Sequence, residues 1–190
     1  MVVDIHLDSF PASRSSRLGK PFLQRMYQWY VVRQAGLSLI AVLDDRVVGF
    51  VTGTLGWGGA RQRFRYTFWQ ILRGLVRRPT LLFSAEIFEK WENFIKGLLP
   101  DRNQGKSHPD ARGVKVTLDS IAVHPHARGR NVGVALVNAF QDAARETGAG
   151  YLALGVESNN RAARHLYENC GWELVCDDEK NNSANYRKRL

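Results

Sequence analysis

An apolar run that ends in a loop of glycines and arginines and then turns into a helix constrains this 190-residue chain more than any other feature. The run covers 114–123, the loop covers 124–130, and an amphipathic helix follows over about 131–147. A strand that feeds a tight loop and a helix leaves several backbone N–H groups unpaired, and the helix dipole adds partial positive charge there. The segment therefore predicts an anion site, although composition alone leaves a solvated turn equally open.

The residues of this loop suit a phosphate. Gly129 and Gly133 carry no side chain that would block the approach of a phosphate to the backbone. Arg128 and Arg130 add positive charge and paired hydrogen-bond donors. Two other phosphate-binding loops are excluded, because no lysine followed by serine or threonine comes after the glycine and the glycine spacing does not fit the dinucleotide fingerprint.

The rest of the chain alternates between helices and strands. Predicted helices cover 2–10, 21–36, 61–99 with a break at Pro79, 131–147 and 161–169, and predicted strands cover 37–43, 47–55, 114–123, 151–156, 172–176 and 184–190. Residues 44–46 are predicted to form a hairpin turn, and 100–113 a polar connector. This alternation is typical of an α/β or α+β sheet domain, and the length suits one domain over 1–190.

The run 160–172 forms a second motif. On the predicted helix 161–169, Ala163, Leu166 and Tyr167 lie three and four residues apart and share one face. A small residue at Ala163 lets the helix approach a ligand, while Tyr167 directs its hydroxyl toward a cleft. Taken alone, Tyr167 is more simply interpreted as a tyrosine at the edge of the core.

Together the two motifs resemble those of the GNAT superfamily of acyl-CoA-dependent N-acetyltransferases. Residues 121–125 match an apolar strand ending in Val-x-Pro, 128–133 match Arg-Gly-x-Gly-x-Gly apart from one position, and 160–171 match Asn-x-x-Ala-x-x-Leu-Tyr-Glu-x-x-Gly. The resemblance implies a mixed central sheet flanked by helices. It also implies that 56–113 are a helical insertion between the third and fourth strands.

The same resemblance implies roles for individual residues. Backbone amides from Gly129 to Val134 would hold the CoA pyrophosphate, and the strand edge 121–123 would pair with the pantetheine arm. Asn160 would contact the pantetheine or the adjoining backbone. Tyr167 would protonate the departing CoA thiolate, since an acid with a pKa of about 10 keeps its proton at neutral pH. The predicted cofactor-binding set is Ile121, Ala122, Val123, Arg128, Gly129, Arg130, Asn131, Val132, Gly133, Val134, Asn160 and Ala163, and no metal site is predicted.

Two departures from the family pattern stand out. Asn131 replaces a glycine, and asparagine tolerates left-handed backbone better than other non-glycine residues, although it leaves less room for a phosphate. The family fold opens with a strand, whereas a helix is predicted here almost from Met1. A complete seven-stranded sheet is therefore not expected.

Acylation of an amine requires the neutral amine, so a general base is expected. Asp119 is the best candidate because it lies on the predicted strand two residues before the segment that would pair with the cofactor. A structural carboxylate satisfied by its neighbours is an equally open interpretation. Glu157, at the end of the next strand, is the second candidate, and His6 is a distant third.

The net charge of +9 is concentrated in the insertion, where 11 lysines and arginines face 5 aspartates and glutamates. Three interpretations stay open: a wall for an anionic or amphipathic acceptor, docking on a membrane surface through a basic helix within 61–99, or a helical hairpin with a solvated basic face and an aromatic core, for which a homodimer contact is an option. An alternative function is a basic module that binds nucleic acid or a membrane surface without catalysis. No standard nucleic-acid-binding motif is present, so no nucleic-acid partner is expected.

The cellular compartment is predicted from the cysteines and from the character of the N-terminal residues. Cys170 and Cys176 are expected to be reduced thiols, and no signal peptide or long apolar stretch occurs, so a soluble cytoplasmic protein is predicted. The function that the resemblance implies is an acyltransferase with acetyl-CoA as its co-substrate. It would transfer an acetyl group to a primary amine of a small molecule, such as an amino sugar or an amino-sugar nucleotide, by direct attack in a ternary complex.

Overall fold

The computed structural model describes residues 1–32, 36–56, 59–77 and 114–190. Its helices are α1 (Val2–Ser9), α2 (Arg14–Arg17), α3 (Lys20–Val32), α4 (Gly59–Arg77), α5 (Val132–Glu146) and α6 (Arg161–Asn169). Its strands are β1 (Gly36–Leu43), β2 (Arg46–Leu55), β3 (Val114–Val123), β4 (Ala149–Val156), β5 (Glu173–Asp178) and β6 (Ser183–Arg189). Short 3₁₀ turns cover Pro125–Ala127 and Glu179–Asn181.

The six strands form one mixed sheet in the order β1-β2-β3-β4-β6-β5. Every pair is antiparallel except β3 and β4, which run parallel. Two hydrophobic clusters cover the sheet: one joins β2–β4 and β6 to α5 and α6, and the other joins β2 and β3 to α1 and α3. The predicted fold class, a mixed central sheet flanked by helices, is confirmed.

The parallel pair is short, and this opens the sheet. β3 pairs with β4 only from Val114 opposite Ala149 to Thr117 opposite Ala153. Beyond that point, among the described strands, β3 continues beside β2 alone and β4 beside β6 alone. The two central strands therefore separate into a fork whose closed end lies at Thr117 and Ala153.

A β-bulge lies next to the closed end of the fork. Thr52 of β2 faces Ser120, but the next residue, Gly53, faces Leu118, so Asp119 is an extra residue on β3. A bulge locally changes which face of the sheet each side chain points to. Leu118 accordingly belongs to the cluster under α5, whereas Ala122 belongs to the cluster under α1 and α3.

Most predicted elements are found within a few residues of their expected bounds, with one clear error. The helix predicted over 21–36 ends at Val32, and Gly36 begins β1 instead of capping the helix. A Cβ on Gly36 would lie 2.8 Å from the ring of Tyr30, so glycine lets the strand pass close to α3. The helix expected after Pro79 and the connector 100–113 lie outside the described residues.

The insertion and the N-terminus also bear on the predictions. The family's strand numbering counts an opening strand before the first helix. In this chain the first described element is the predicted helix α1. Residues 56–113 therefore follow the second described strand, β2, at the place that the family numbering calls the gap between the third and fourth strands. The first part of the insertion is the helix α4. No helix in the described part of the chain has the length and apolar character needed to cross a bilayer.

Gly53 shows how closely α5 packs on the sheet. A Cβ at Gly53 would lie 2.4 Å from Cζ of Phe140 and 2.6 Å from the carbonyl oxygen of Thr117. Phe140 is fully buried, and Thr117 is the last residue of β3 that pairs with β4. Neither the Phe140 ring nor the Thr117 backbone can therefore move to make room without disturbing the core.

We predict that Gly53→Ala lowers the free energy of unfolding by about 1–3 kcal/mol through overpacking. Urea denaturation measures the loss. Gly155→Ala is the matched control on another strand of the sheet, since its Cβ would meet only Asn185 Oδ1 at 3.5 Å. Equal stability of the two variants would contradict this packing.

Candidate functional site

The fork defines the candidate site. One wall is the edge of β3 from Leu118 to Val123, which has no partner strand on the side of β4 among the described residues. The other wall is the end of β4, with α6 following it. The loop after β3 lies at the open end. The strand edge 121–123 that was predicted to pair with pantetheine is therefore a free edge on one side.

The loop between β3 and α5 presents a run of unpaired amides. The amides of Ala127 and Arg128 donate to carbonyls within the 3₁₀ turn, and the first helical bond runs from Ala135 N to Asn131 O at 3.0 Å. Between them, the N–H groups of residues 129–134 meet no backbone acceptor in the described part of the chain. These amides sit at the N-terminus of a 15-residue helix, where the dipole favours an anion.

Two residues give the loop its shape. Gly129 has φ 74° with nothing near its missing Cβ, and Asn131 has φ 58° and ψ 13°, the left-handed conformation expected for it. Arg128 bends back, and its Nε donates to the carbonyl of Val123 at 3.2 Å. The loop forms with asparagine at the position where the family has glycine.

Gly133 has a different environment from the one expected. A Cβ there would lie 3.4 Å from Leu166 Cδ2 and 4.0 Å from Val123 Cγ2. The absence of a side chain thus lets α5 approach α6 across the fork. Gly133 therefore has two effects: it allows the two helices to pack closely, and it leaves its own backbone N–H accessible to a phosphate.

Helix α6 is held in place at both ends. Asn160 caps it, and its Oδ1 accepts from Ala163 N at 3.1 Å. At the other end Gly171, with φ 76°, completes a Schellman motif in which Trp172 N donates to Tyr167 O and Gly171 N donates to Glu168 O. Asn160 contacts the adjoining backbone, which is one of the two contacts expected of it.

Side-chain bonds fix α6 against the last two strands. Tyr186 of β6 donates to Glu168 Oε1 at 2.6 Å and accepts from Arg164 Nε at 3.1 Å. Arg164 also forms an ion pair with Asp177 at 2.7 Å. These contacts fix the position of α6, the helix that carries Tyr167.

Tyr167 lies on α6, the helix that follows the second wall of the fork, with 5% of its surface exposed. Its ring packs near the rings of Trp172 and Tyr186, at centroid distances of 5.9 and 6.1 Å. Its hydroxyl makes no hydrogen bond within the described residues. Burial raises the pKa of Tyr167 to about 12, so the phenol stays protonated at neutral pH. A protonated phenol without an internal partner is able to donate a proton to a ligand.

Asp119 lies at the bulge and is heavily engaged. Its Oδ2 accepts from Tyr30 Oη at 3.0 Å, from Thr54 Oγ1, and from Arg63 Nη1 at 2.8 Å. Arg63 also donates to the hydroxyl of Tyr30. The Arg63 and Asp119 side chains are only 23% and 14% exposed. The carboxylate is thus held in a partly buried cluster next to the closed end of the fork.

The pKa shifts of this cluster follow from its charges. Burial is the largest influence on Arg63 and lowers its pKa, but the charge of Asp119, the effect of Tyr30 and the hydrogen bonds to both together outweigh burial, so the net shift is upward. Burial, with the charge of Asp119, raises the pKa of Tyr30. Arginine therefore stays charged and tyrosine stays protonated, which leaves both as donors to the carboxylate.

Sequence reasoning missed Tyr30, Thr54 and Arg63. Tyr30 was counted on the apolar side of its helix, and Arg63 was counted with the surface charge of the insertion. The contacts to Asp119 span 89, 65 and 56 residues, so no local spacing could indicate them. The only local signal was a charged residue on a predicted buried strand.

The other two candidate bases, Glu157 and His6, differ in their exposure to solvent. Glu157 is exposed just after β4. His6 is buried in α1, 2.5 Å from Tyr27 Oη and 3.0 Å from Ser15 Oγ, and burial lowers its pKa to about 4. Both ring nitrogens of His6 are occupied, so it is a structural group.

Comparison with known proteins agrees with this geometry. Residues 97–172 match the model of the Acetyltransferase (GNAT) family. The chain is 45% identical over 56 residues to an uncharacterized N-acetyltransferase, YhfO, of Bacillus subtilis strain 168, covering 30% of this chain and 38% of that protein. It is 36% identical over 56 residues to the L-amino acid N-acyltransferase MnaT of Escherichia coli K12, covering 30% of this chain and 33% of that protein. These matches span about a third of the curated relatives' length.

The fold has a close counterpart among solved structures. The structure of ribosomal-protein-alanine N-acetyltransferase from Brucella melitensis aligns with a TM-score of 0.58 at 17% identity, covering 99% of this chain and 91% of that one. The forked mixed sheet and the amide-lined loop define a GNAT-type domain. Over residues 97–172 the chain is therefore similar to acetyltransferases of the GNAT family. These matches support the resemblance that the sequence motifs predicted.

We predict that His6 makes stability depend on pH. Its folded pKa of about 4 lies below the ordinary 6.5, so the unfolded chain binds more protons between these values. The contribution is complete above pH 6.5 and is lost as the pH falls toward 4, on the order of 1–3 kcal/mol. Urea unfolding across this range, compared with His6→Gln, isolates the effect.

His165→Gln is the matched control, because His165 is exposed on α6. Its stability should follow the unmodified protein at every pH. If His6→Gln showed the same pH dependence as the unmodified protein, His6 would not be the buried neutral group that the structure indicates.

Proposed function

We propose that this protein is an N-acetyltransferase that transfers an acetyl group from acetyl-CoA to a primary amine of a small molecule. The observation that carries the proposal is the fork between β3 and β4, which ends at an amide-lined helix N-terminus. The described elements and the insertion 56–113 would together form one domain. The reaction would proceed by direct attack of the amine in a ternary complex.

The co-substrate would bind along β3. The N–H groups of residues 129–134 would hold the pyrophosphate, with Arg128 and Arg130 adding charge at the exposed rim. The free edge at 121–123 would pair with the amides of pantetheine, as a further strand would. This places the thioester toward the closed end of the fork, near Asp119 on one side and α6 on the other.

The chemistry then needs two proton transfers. The amine nitrogen forms a bond to the thioester carbonyl carbon and loses a proton to a base, and the C–S bond breaks. The sulfur takes a proton from Tyr167, whose raised pKa keeps it protonated until the thiolate forms. Asp119 would accept the amine proton, directly or through water.

The cluster around Asp119 bears on its role as base. Three donors converge on Oδ2, whereas Oδ1 has no partner among the described residues. We assign the proton transfer to Oδ1. The donors on Oδ2 fix the position of the carboxylate, so Oδ1 would act through its position beside the amine.

The acceptor class rests on the relatives. One matched relative is named as an acyltransferase of L-amino acids, whose amine is a small-molecule amine. Amino sugars and amino-sugar nucleotides are further candidates. We place the reaction in the cytoplasm, a proposal supported by Cys170 and Cys176, which are both free thiols.

A screen of acetyl-CoA consumption across amino acids, amino sugars and peptides tests the proposed activity. Turnover with a small-molecule amine is the expected result. A purified protein that binds no acetyl-CoA, or that consumes it with no amine offered, would contradict the proposal.

We predict that Tyr167→Phe lowers kcat by roughly 10²- to 10⁴-fold with little change in the KM for acetyl-CoA, because only protonation of the leaving sulfur is lost. Steady-state kinetics measure both. Tyr66→Phe, which removes a hydroxyl from half-buried Tyr66 on α4, is the control and should be nearly unchanged. A larger effect on KM than on kcat would assign Tyr167 to binding alone.

We predict that Asp119→Asn abolishes the acidic limb of the pH profile of kcat/KM and lowers the rate, because the amide cannot accept a proton. Glu157→Gln, at the second candidate base, should leave the limb in place. The pH profiles of the two variants give a direct comparison. An acidic limb that disappears in Glu157→Gln and persists in Asp119→Asn would reverse the assignment.

A further inference from the structure

Helix α4 has an inner and an outer face with different character. Arg63 and Thr67 lie on the inner face, where Arg63 reaches Asp119 and Thr67 is buried. At about 100° per residue, the exposed residues fall within an arc of roughly 140° that excludes these two. The outer arc comprises Gln62, Arg65, Phe68, Trp69, Leu72, Arg73 and Val76.

The outer face is apolar and basic at once. Trp69 and Val76 are 72% and 74% exposed, and Phe68 and Leu72 are each 42% exposed. Arg65 and Arg73 are exposed among them, and the whole helix contains no aspartate or glutamate. Large apolar side chains exposed side by side are uncommon unless they contact something.

A basic cavity continues this face toward α3. It has a volume of about 480 Å³ beside Trp69, and Arg17, Arg25 and Arg73 line it, with no acidic residue among the described lining residues. The guanidinium of Arg25 lies 3.9 Å from the ring centroid of Tyr66 and donates to Gln28 Oε1. Its Nε is buried and meets no acceptor in the described part of the chain. The cavity thus suits a small anionic group beside an apolar body.

We propose that the outer face of α4, with this cavity, docks on the surface of an anionic lipid membrane. Trp69, Phe68, Leu72 and Val76 would enter the boundary between headgroups and acyl chains, while the arginines would contact lipid phosphates. The helix would lie in the plane of the surface. Arg63 on the opposite side would still hold Asp119, so docking and the fork use different faces of α4.

Two other occupants fit the charges less well. A second copy that used the same face would bring arginines against arginines, with no acidic residue on α4 to neutralise them. Nucleic acid would engage the arginines and Trp69 but would leave Leu72 and Val76 without apolar partners. A lipid surface satisfies both the charge and the exposed apolar area.

The test is co-sedimentation of the full chain with vesicles of phosphatidylcholine or of an equal mixture of phosphatidylcholine and phosphatidylglycerol. We expect binding to the anionic vesicles that weakens as salt is raised. Arg65→Gln with Arg73→Gln should lower the partition by about fivefold for each arginine removed. Trp69→Ser should lower it by about tenfold, because a large exposed aromatic ring no longer enters the interface.

Matched controls keep the test specific. Arg46→Gln with Arg189→Gln removes two other exposed arginines, and Leu174→Ser removes another exposed apolar side chain, so these variants should bind as the unmodified protein does. Circular dichroism confirms that each variant is folded. No binding to anionic vesicles at low salt, equal loss in the controls, or sedimentation analysis showing that Trp69→Ser dissociates a dimer would each overturn the proposal. Vesicle binding is measured without acetyl-CoA. The membrane proposal and the proposed acetyltransferase activity can therefore be disproved independently of each other.

Discussion

The separation of β3 from β4 is the constraint on which the rest of the structure depends. Four residue pairs, ending at Thr117 and Ala153, join the only parallel strands of the described sheet, and the strands then diverge. Because a buried strand edge needs hydrogen-bond partners, the free edge of β3 requires a ligand or water to satisfy it. The same divergence lets α5 and α6 approach each other across the gap, with Gly133 against Leu166. The anion loop is thereby brought beside α6, the helix that carries Tyr167.

Helix α4 is connected to this cleft by charge. Arg63 of α4 forms an ion pair with Asp119, and Tyr30 of α3 donates to the same oxygen. A partly buried carboxylate is stable as an anion only when such donors surround it. Helices that are distant in sequence therefore hold the candidate base, and the position of α4 is coupled to the geometry of the site.

The sequence predicted the second half of the fold well because the determinants there are local. The strand, the anion loop and the cap of α5 follow one another between Val114 and Asn131, and Gly171 ends α6 two residues after the last helical residue, Asn169. The partners of Asp119 could not be predicted, since they depend on how α3 and α4 pack on the sheet. The role of Gly133 was only half foreseen, because its neighbour Leu166 comes from another helix. Loops and helix ends could be predicted from neighbouring residues in the sequence, whereas tertiary contacts between polar side chains could not.

Titration of ¹⁵N-labelled protein with CoA, followed by amide chemical shifts, tests the central claim most directly. If the loop binds the pyrophosphate, the largest shifts will fall on the amides of residues 129–134, with smaller shifts along 121–123. Adenosine, which lacks the diphosphate, should leave the loop amides unmoved. Saturable CoA binding that shifts amides elsewhere, with residues 129–134 unaffected, would contradict the account.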